Sequence, residues 1–229
     1  MKRYAIYFAP DEATALHTLG SEWLGRDART AEVTAPTLPE SIPVESWTRC
    51  TEAARRYGFH ATLKPPFKLV EGASAARLTE ALTQFAARQR AFHLPKLCLG
   101  TLGRFLALVL SGPCRELHQL AADCVREMDE FRAPADPEDV ARRMSPSLHA
   151  AEQQNLIRWG YPYVLDTWKF HMTLTSSLGP DDLAVYREHL AERFDSVCRE
   201  PVLCDSICLF EESAPNAALL LTDRFPLAK

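Results

Sequence analysis

The chain has 229 residues, 47% of them hydrophobic, with 26 Lys and Arg against 30 Asp and Glu for a formal net charge of −4. That length supplies one large domain or two small ones, with ample material for a core. The acidic balance argues against a protein that coats nucleic acid by bulk charge, and no apolar run reaches the roughly 20 residues that a bilayer span needs.

In chain order, residues 3–9 read as a buried strand, and Pro10 and Asp11 end that apolar stretch too early for a signal peptide. A helix follows to about Leu24, then a polar, proline-bearing loop over residues 26–46. Residues 57–64 form a short strand that Pro65-Pro66 should stop, and Ser74 caps a helix with Leu78, Leu82 and Phe85 inward. Strands are expected near 92–99 and 104–110, then a helix carrying Leu117, Leu120, Cys124, Met128 and Phe131 on one stripe. After an interruption around residues 133–149 and a helix from about Ser145 to Gly160, a strand over 169–174 leads to a helix opened by Pro180. Strands near 202–210 and 217–222 close the chain. Its seven cysteines, with no Cys-x-x-Cys pair, fit reduced structural thiols and a cytoplasmic protein.

The second half of this order repeats the first. Arg3-Tyr4 precedes Leu16-His17-Thr18-Leu19 by the interval that separates Arg104-Phe105 from Leu117-His118-Gln119-Leu120. Phe59-His60-Ala61-Thr62-Leu63 returns as Phe170-His171-Met172-Thr173-Leu174. These matches predict a duplication: one bilobal body over 1–229, with pseudo-repeat halves of about 1–103 and 104–229. His17 and His118 recur on helices beside core leucines, where a structural role is the simpler reading.

The repeated segment carries the chemistry. In a strand, His60 and Thr62 point one way while Phe59, Ala61 and Leu63 anchor the other face, and the same holds for His171 and Thr173. Two imidazoles and two hydroxyls facing each other across a pseudo-twofold axis suit hydrolysis of a phosphodiester. A neutral imidazole takes the proton of the attacking water, an imidazolium protonates the departing alkoxide, and threonine hydroxyls donate to the phosphate oxygens. By the same alternation Lys64 and Lys169 share the faces of their histidines and can bring positive charge to a bound phosphate, the alternative being solvated surface groups. Arg3 and Arg104 open equivalent strands and are either a second pair of anion contacts or surface charge. No Asp or Glu accompanies either motif within a few residues, so the histidines do not read as metal ligands and no cofactor is expected.

The two His-hydrophobic-Thr-hydrophobic motifs, His60-Ala61-Thr62-Leu63 and His171-Met172-Thr173-Leu174, resemble the signature of the 2H phosphoesterase superfamily. Within it, Arg3-Tyr4-Ala5-Ile6-Tyr7-Phe8, the run from Tyr57 to Phe67 and the run from Arg158 to Thr175 resemble the DUF1045 family of proteins tied to phosphonate metabolism. The resemblance implies an α+β bilobal fold, with two antiparallel sheets lining a central cleft and helices outside. It also implies a metal-independent phosphodiesterase acting on a small cyclic phosphate such as 5-phosphoribosyl 1,2-cyclic phosphate. Its catalytic residues would be His60, Thr62, His171 and Thr173, with Tyr57 joining Lys64, Lys169, Arg3 and Arg104 as substrate-binding candidates. Two alternatives stay open: a phosphodiesterase acting on RNA or nucleotide 2′,3′-cyclic phosphates, and a non-catalytic binder of nucleotides or RNA ends. Trp159, Tyr161, Tyr163 and Trp168 are either stacking platforms for a base or core packing. The charge balance makes a small substrate the better fit than long nucleic acid, and no membrane partner is expected.

Overall fold

The computed structural model describes residues 2–229. Their strands are β1 (Arg3–Phe8), β2 (Ala61–Phe67), β3 (Phe92–Leu94), β4 (Leu97–Leu102), β5 (Phe105–Leu110), β6 (Met172–Thr173), β7 (Val202–Cys204), β8 (Ser206–Glu212) and β9 (Leu219–Pro226). The helices are α1 (Ala15–Leu24), α2 (Val44–Tyr57), α3 (Ala75–Arg88), α4 (Arg115–Glu127), α5 (Pro137–Arg143), α6 (Ala150–Trp159) and α7 (Pro180–Arg199).

Among the described residues, seven strands form one antiparallel sheet in the order β4-β5-β6-β2-β1-β8-β9, and β3 pairs with β7 in a separate ribbon. From the centre outward the sheet reads β2-β1-β8-β9 on one side and β6-β5-β4 on the other. The two expected antiparallel sheets are therefore two half-sheets, hydrogen-bonded to each other through the Ala61–Met172 pair. Each half takes its outer strand from the opposite stretch of sequence: β8 lies on β1, and β4 lies on β5.

One face of the sheet is apolar and helix-covered. Ile6, Phe8, Leu63, Leu108, Met172 and Leu174 join a core with Leu82 and Phe85 of α3, Leu120 and Cys124 of α4, and Leu190 and Phe194 of α7. Burying each such leucine or phenylalanine contributes about 1.5–3 kcal/mol. The opposite face has only a smaller cluster, in which Ala5, Tyr7, Cys208, Phe210, Leu219 and Leu221 pack together. The functional side chains stand on this second face.

Four local expectations change. Residues 44–57 form α2, whose Trp47, Cys50, Thr51 and Ala54 are buried, although its Pro43 N-cap makes no side-chain cap bond and so gave the sequence no start signal. β2 is not stopped at the prolines but runs through Pro65 and Pro66 to Phe67, because register shifts against β1 spare Pro any ladder bond. Ladder pairing of β6 is confined to Met172–Thr173, leaving Lys169 to His171 outside the strand. Finally, residues 133–149 contain α5, capped by Asp136, whose carboxylate accepts from Glu138 N at 2.9 Å, while α6 begins at Ala150 rather than Ser145.

Candidate active site

The central ladder assembles the four motif side chains. Ala61 pairs with Met172 in antiparallel register, so Thr62 lies across from His171 and His60 across from Thr173, all on the face away from the helices. The ring of each histidine is tied to the backbone in the same way. His60 Nδ1 donates to Gly58 O at 2.8 Å, and His171 Nδ1 donates to Lys169 O at 2.8 Å. A carbonyl only accepts, so in both rings Nδ1 carries a proton, which leaves Nε2 as the nitrogen that can exchange one.

The two rings have different surroundings. Tyr7 stacks on His60 with ring centroids 3.7 Å apart, and Nε2 of His60 lies 3.2 Å from the Thr62 hydroxyl. Burial, with smaller repulsion from His171, lowers the His60 imidazole from its ordinary 6.5 to about 4. In the other half-sheet the ladder position facing Thr173 is occupied by Ala107, where Tyr7 faces Thr62. His171 therefore has no equivalent stacked ring and meets only the edge of Phe105, with centroids 6.0 Å apart.

His60, Thr62 and Thr173 open into a hollow of about 310 Å³ whose wall also includes Arg3, Tyr7 and Tyr57. Arg3 is half-buried and paired with Glu212, which is 0% exposed and also holds Arg56. Tyr57 accepts from Arg56 Nη1 at 3.4 Å and sets its ring 6.3 Å from that of His60. Trp168 Nε1 donates to Thr62 O at 2.7 Å and pins the strand beneath the hydroxyl.

Three of the expected cations lie elsewhere. Lys64 is 2% exposed on the helix face, donating to Val125 O at 3.0 Å and pairing with Asp129 at 3.3 Å. The cause is a bulge: Tyr7 aligns with Thr62 but Ile6 with Lys64, so Leu63 is an extra residue and the alternation slips by one. Burial pushes the Lys64 ammonium down to about 8, with Asp129 acting against it. Arg104 is exposed in the turn before β5 and donates to Leu178 O at 3.0 Å, outside the hollow. Lys169 supplies its carbonyl to His171, while its side chain is exposed along a different groove with Leu110, His118 and Trp168.

Arg143, absent from the sequence-derived set, lines the hollow together with Tyr161, one of the aromatics read there as either stacking platforms or core packing, and its guanidinium lies 5.4 Å from the Tyr161 ring centroid. Both come from the stretch that separates β5 and β6, where no repeat exists to single out Arg143. Among the described residues no three His, Cys, Asp or Glu side chains cluster as a metal-binding group.

Fold and site define an α+β protein that presents two His-Thr pairs from adjacent central strands. Residues 62–220 match the family described as a protein of unknown function, DUF1045, and the chain belongs to that family. It is 36% identical over 232 aligned residues to ribose 1,5-bisphosphate phosphokinase PhnN of Janthinobacterium sp. (strain Marseille), covering 100% of this chain and 51% of that protein. With the PhnN phosphokinase of Laribacter hongkongensis (strain HLHK9) it shares 37% identity over 96% of this chain and 50% of the relative. The chain thus spans about half the length of the curated relatives it matches. It also has no Gly-x-x-x-x-Gly-Lys-Ser/Thr phosphate loop. Among solved structures, E. coli LigT complexed with 3′-AMP aligns over 100% of this chain and 99% of its own, at 15% identity and a TM-score of 0.43. A phosphoesterase aligns over 100% of both chains at 15% identity and a TM-score of 0.44.

Proposed function

We propose that this protein is a metal-independent phosphodiesterase that opens a small cyclic phosphodiester, with His60 as general base and His171 as general acid. The observation that supports this reading is the central ladder: its Ala61–Met172 register puts His60 across from Thr173 and Thr62 across from His171, with His60, Thr62 and Thr173 on the wall of the hollow. A water held against His60 Nε2 gives up its proton there as its oxygen attacks phosphorus. The P–O bond to the sugar oxygen breaks on the far side, and His171 hands its Nε2 proton to that oxygen. The products are a phosphomonoester and a free hydroxyl, and the two histidines have exchanged protonation states, which solvent resets. Thr62 and Thr173 donate to the non-bridging oxygens as charge builds on them. A five-membered cyclic ester suits this set because its leaving oxygen stays tethered and needs one proton donor.

The assignment of roles follows from environment. His60 is stacked, half-buried and neutral down to about pH 4, the state a base requires. For the substrate, the names of the curated relatives favour a ribose phosphate, since their other half is the part left to account for the kinase activity. 5-Phosphoribosyl 1,2-cyclic phosphate is the cyclic ester whose opening at O2 yields ribose 1,5-bisphosphate, the compound in those names. Tyr57 and Tyr161, both on the wall of the hollow, support a second reading in which a base stacks there and the substrate is a nucleotide 2′,3′-cyclic phosphate.

The test is turnover of both substrates in excess chelator by purified wild-type protein, His60→Ala and His171→Ala. Each substitution is expected to lower kcat by about 10²–10⁴-fold. Full activity in either variant would remove that histidine from the mechanism, and binding of both esters without turnover would leave a non-catalytic binder. Phosphorus NMR of the product reads which ester bond opens.

A further inference from the structure

Beside the histidine hollow lies a larger chamber of about 490 Å³, and the two share Arg3, Pro65, Pro66 and Arg143 as a common wall. The charges around this chamber do not cancel. Arg3 is matched by the carboxylate of Glu212. Lys64 and Arg132 flank the single carboxylate of Asp129 and leave one surplus positive charge. Arg143 lies over the Tyr161 ring and Lys68 is exposed at the chamber's edge, and neither has a carboxylate within salt-bridge distance among the described residues. On the acidic side, Asp139 is taken by Arg142 and only the Asp136 carboxylate, capping α5, is unmatched by a cation. A chain of net charge −4 has thus gathered about two uncompensated positive charges around one concavity.

A phosphomonoester carries close to two negative charges at neutral pH, and placing one in the chamber would match the excess. Arg143, on the wall shared with the hollow, would stand between it and a cyclic phosphodiester bound there. We infer that the larger chamber is a subsite for a phosphomonoester at the non-reacting end of the substrate, and that Arg143 is its specificity-determining cation. This rests on the cyclic-phosphodiesterase reading of the adjoining hollow. Trp159 and Val164 give the chamber an apolar side against which the sugar can lie, while Arg132 and, at the edge, Lys68 supply donors.

Two measurements test it. The first compares kcat/KM for 5-phosphoribosyl 1,2-cyclic phosphate and for ribose 1,2-cyclic phosphate. Wild-type protein is expected to favour the phosphorylated ester by roughly tenfold or more, and Arg143→Gln and Lys68→Gln each to shrink that ratio, Lys68→Gln while sparing turnover of the unphosphorylated ester. Equal kcat/KM for the two esters overturns the subsite but leaves the phosphodiesterase reading intact, whereas no turnover of either ester counts against the phosphodiesterase reading. The second, which does not depend on turnover, is calorimetric binding of ribose 1,5-bisphosphate and ribose 1-phosphate. Tighter binding of the bisphosphate that is lost in Arg143→Gln supports the subsite, and equal affinity, or a preference that Arg143→Gln leaves unchanged, overturns it.

Discussion

At the scale of single residues, one difference between the two half-sheets gives the two histidines different surroundings. Tyr7 covers His60, and Ala107 in the corresponding ladder position leaves His171 uncovered. A base must be neutral to act, and burial holds His60 neutral until the pH falls to about 4. The acid limb of kcat/KM should therefore turn down near pH 4 rather than near 6.5, dropping tenfold per pH unit below it. Tyr7→Ala exposes the imidazole, weakens the desolvation that depresses it and should move the limb upward toward 6.5; a limb that stays in place would show that stacking is not the cause. His60, Thr62, His171 and Thr173 were legible from the sequence because strand alternation and repetition place them without any knowledge of packing. Their roles were not, because the residue that separates them lies on a neighbouring strand, outside either motif.

At the scale of elements, irregularities decided what pattern reading could not. The bulge that turns Lys64 into the core is invisible to an alternation count, which assumes one residue per pleat step. The consequence is an ammonium holding α4 and the following 3-10 turn against β2 through Val125 O and Asp129. The junction of α2 and β2 is similarly exacting. Gly58 sits at φ +80°, and a Cβ added there would come 2.5 Å from Ala28 Cβ. Its carbonyl is the acceptor that orients His60. Gly58→Ala should therefore cost about 1–3 kcal/mol through strain and contact. It should also lower kcat more than it raises KM as the imidazole loses its aim, read from a thermal melt together with steady-state kinetics. The order of most strands and helices followed from periodicity, whereas α2 and the α5–α6 insertion did not. α2 lacks a capping side chain, and the insertion has no counterpart in the first half. Arg143 and Tyr161 belong to that insertion, so the part of the site that sets preference was the part repetition could not reveal.

At the scale of the whole molecule, the halves of the chain are interlaced. β8 completes the half-sheet begun by β1, and β4 completes the one begun by β5. Expressed alone, residues 1–103 would expose the edge of β1 and offer β4 no partner, and residues 104–229 would expose the edge of β5 and the β1-facing edge of β8. Neither fragment should fold or turn over substrate by itself. Mixed, the two should recover a cooperative melt and activity, and a fragment that melts cooperatively alone would show that the halves are separate domains. The joint where the two half-sheets meet is narrow, with Ala61 and Met172 its paired residues and a histidine on the chain to either side of it. A hinge of that kind lets the two imidazoles change their spacing by a small rotation of one half-sheet against the other. The interlocked outer strands would keep such breathing shallow, so the catalytic gap would adjust to a ring that opens without ever coming apart.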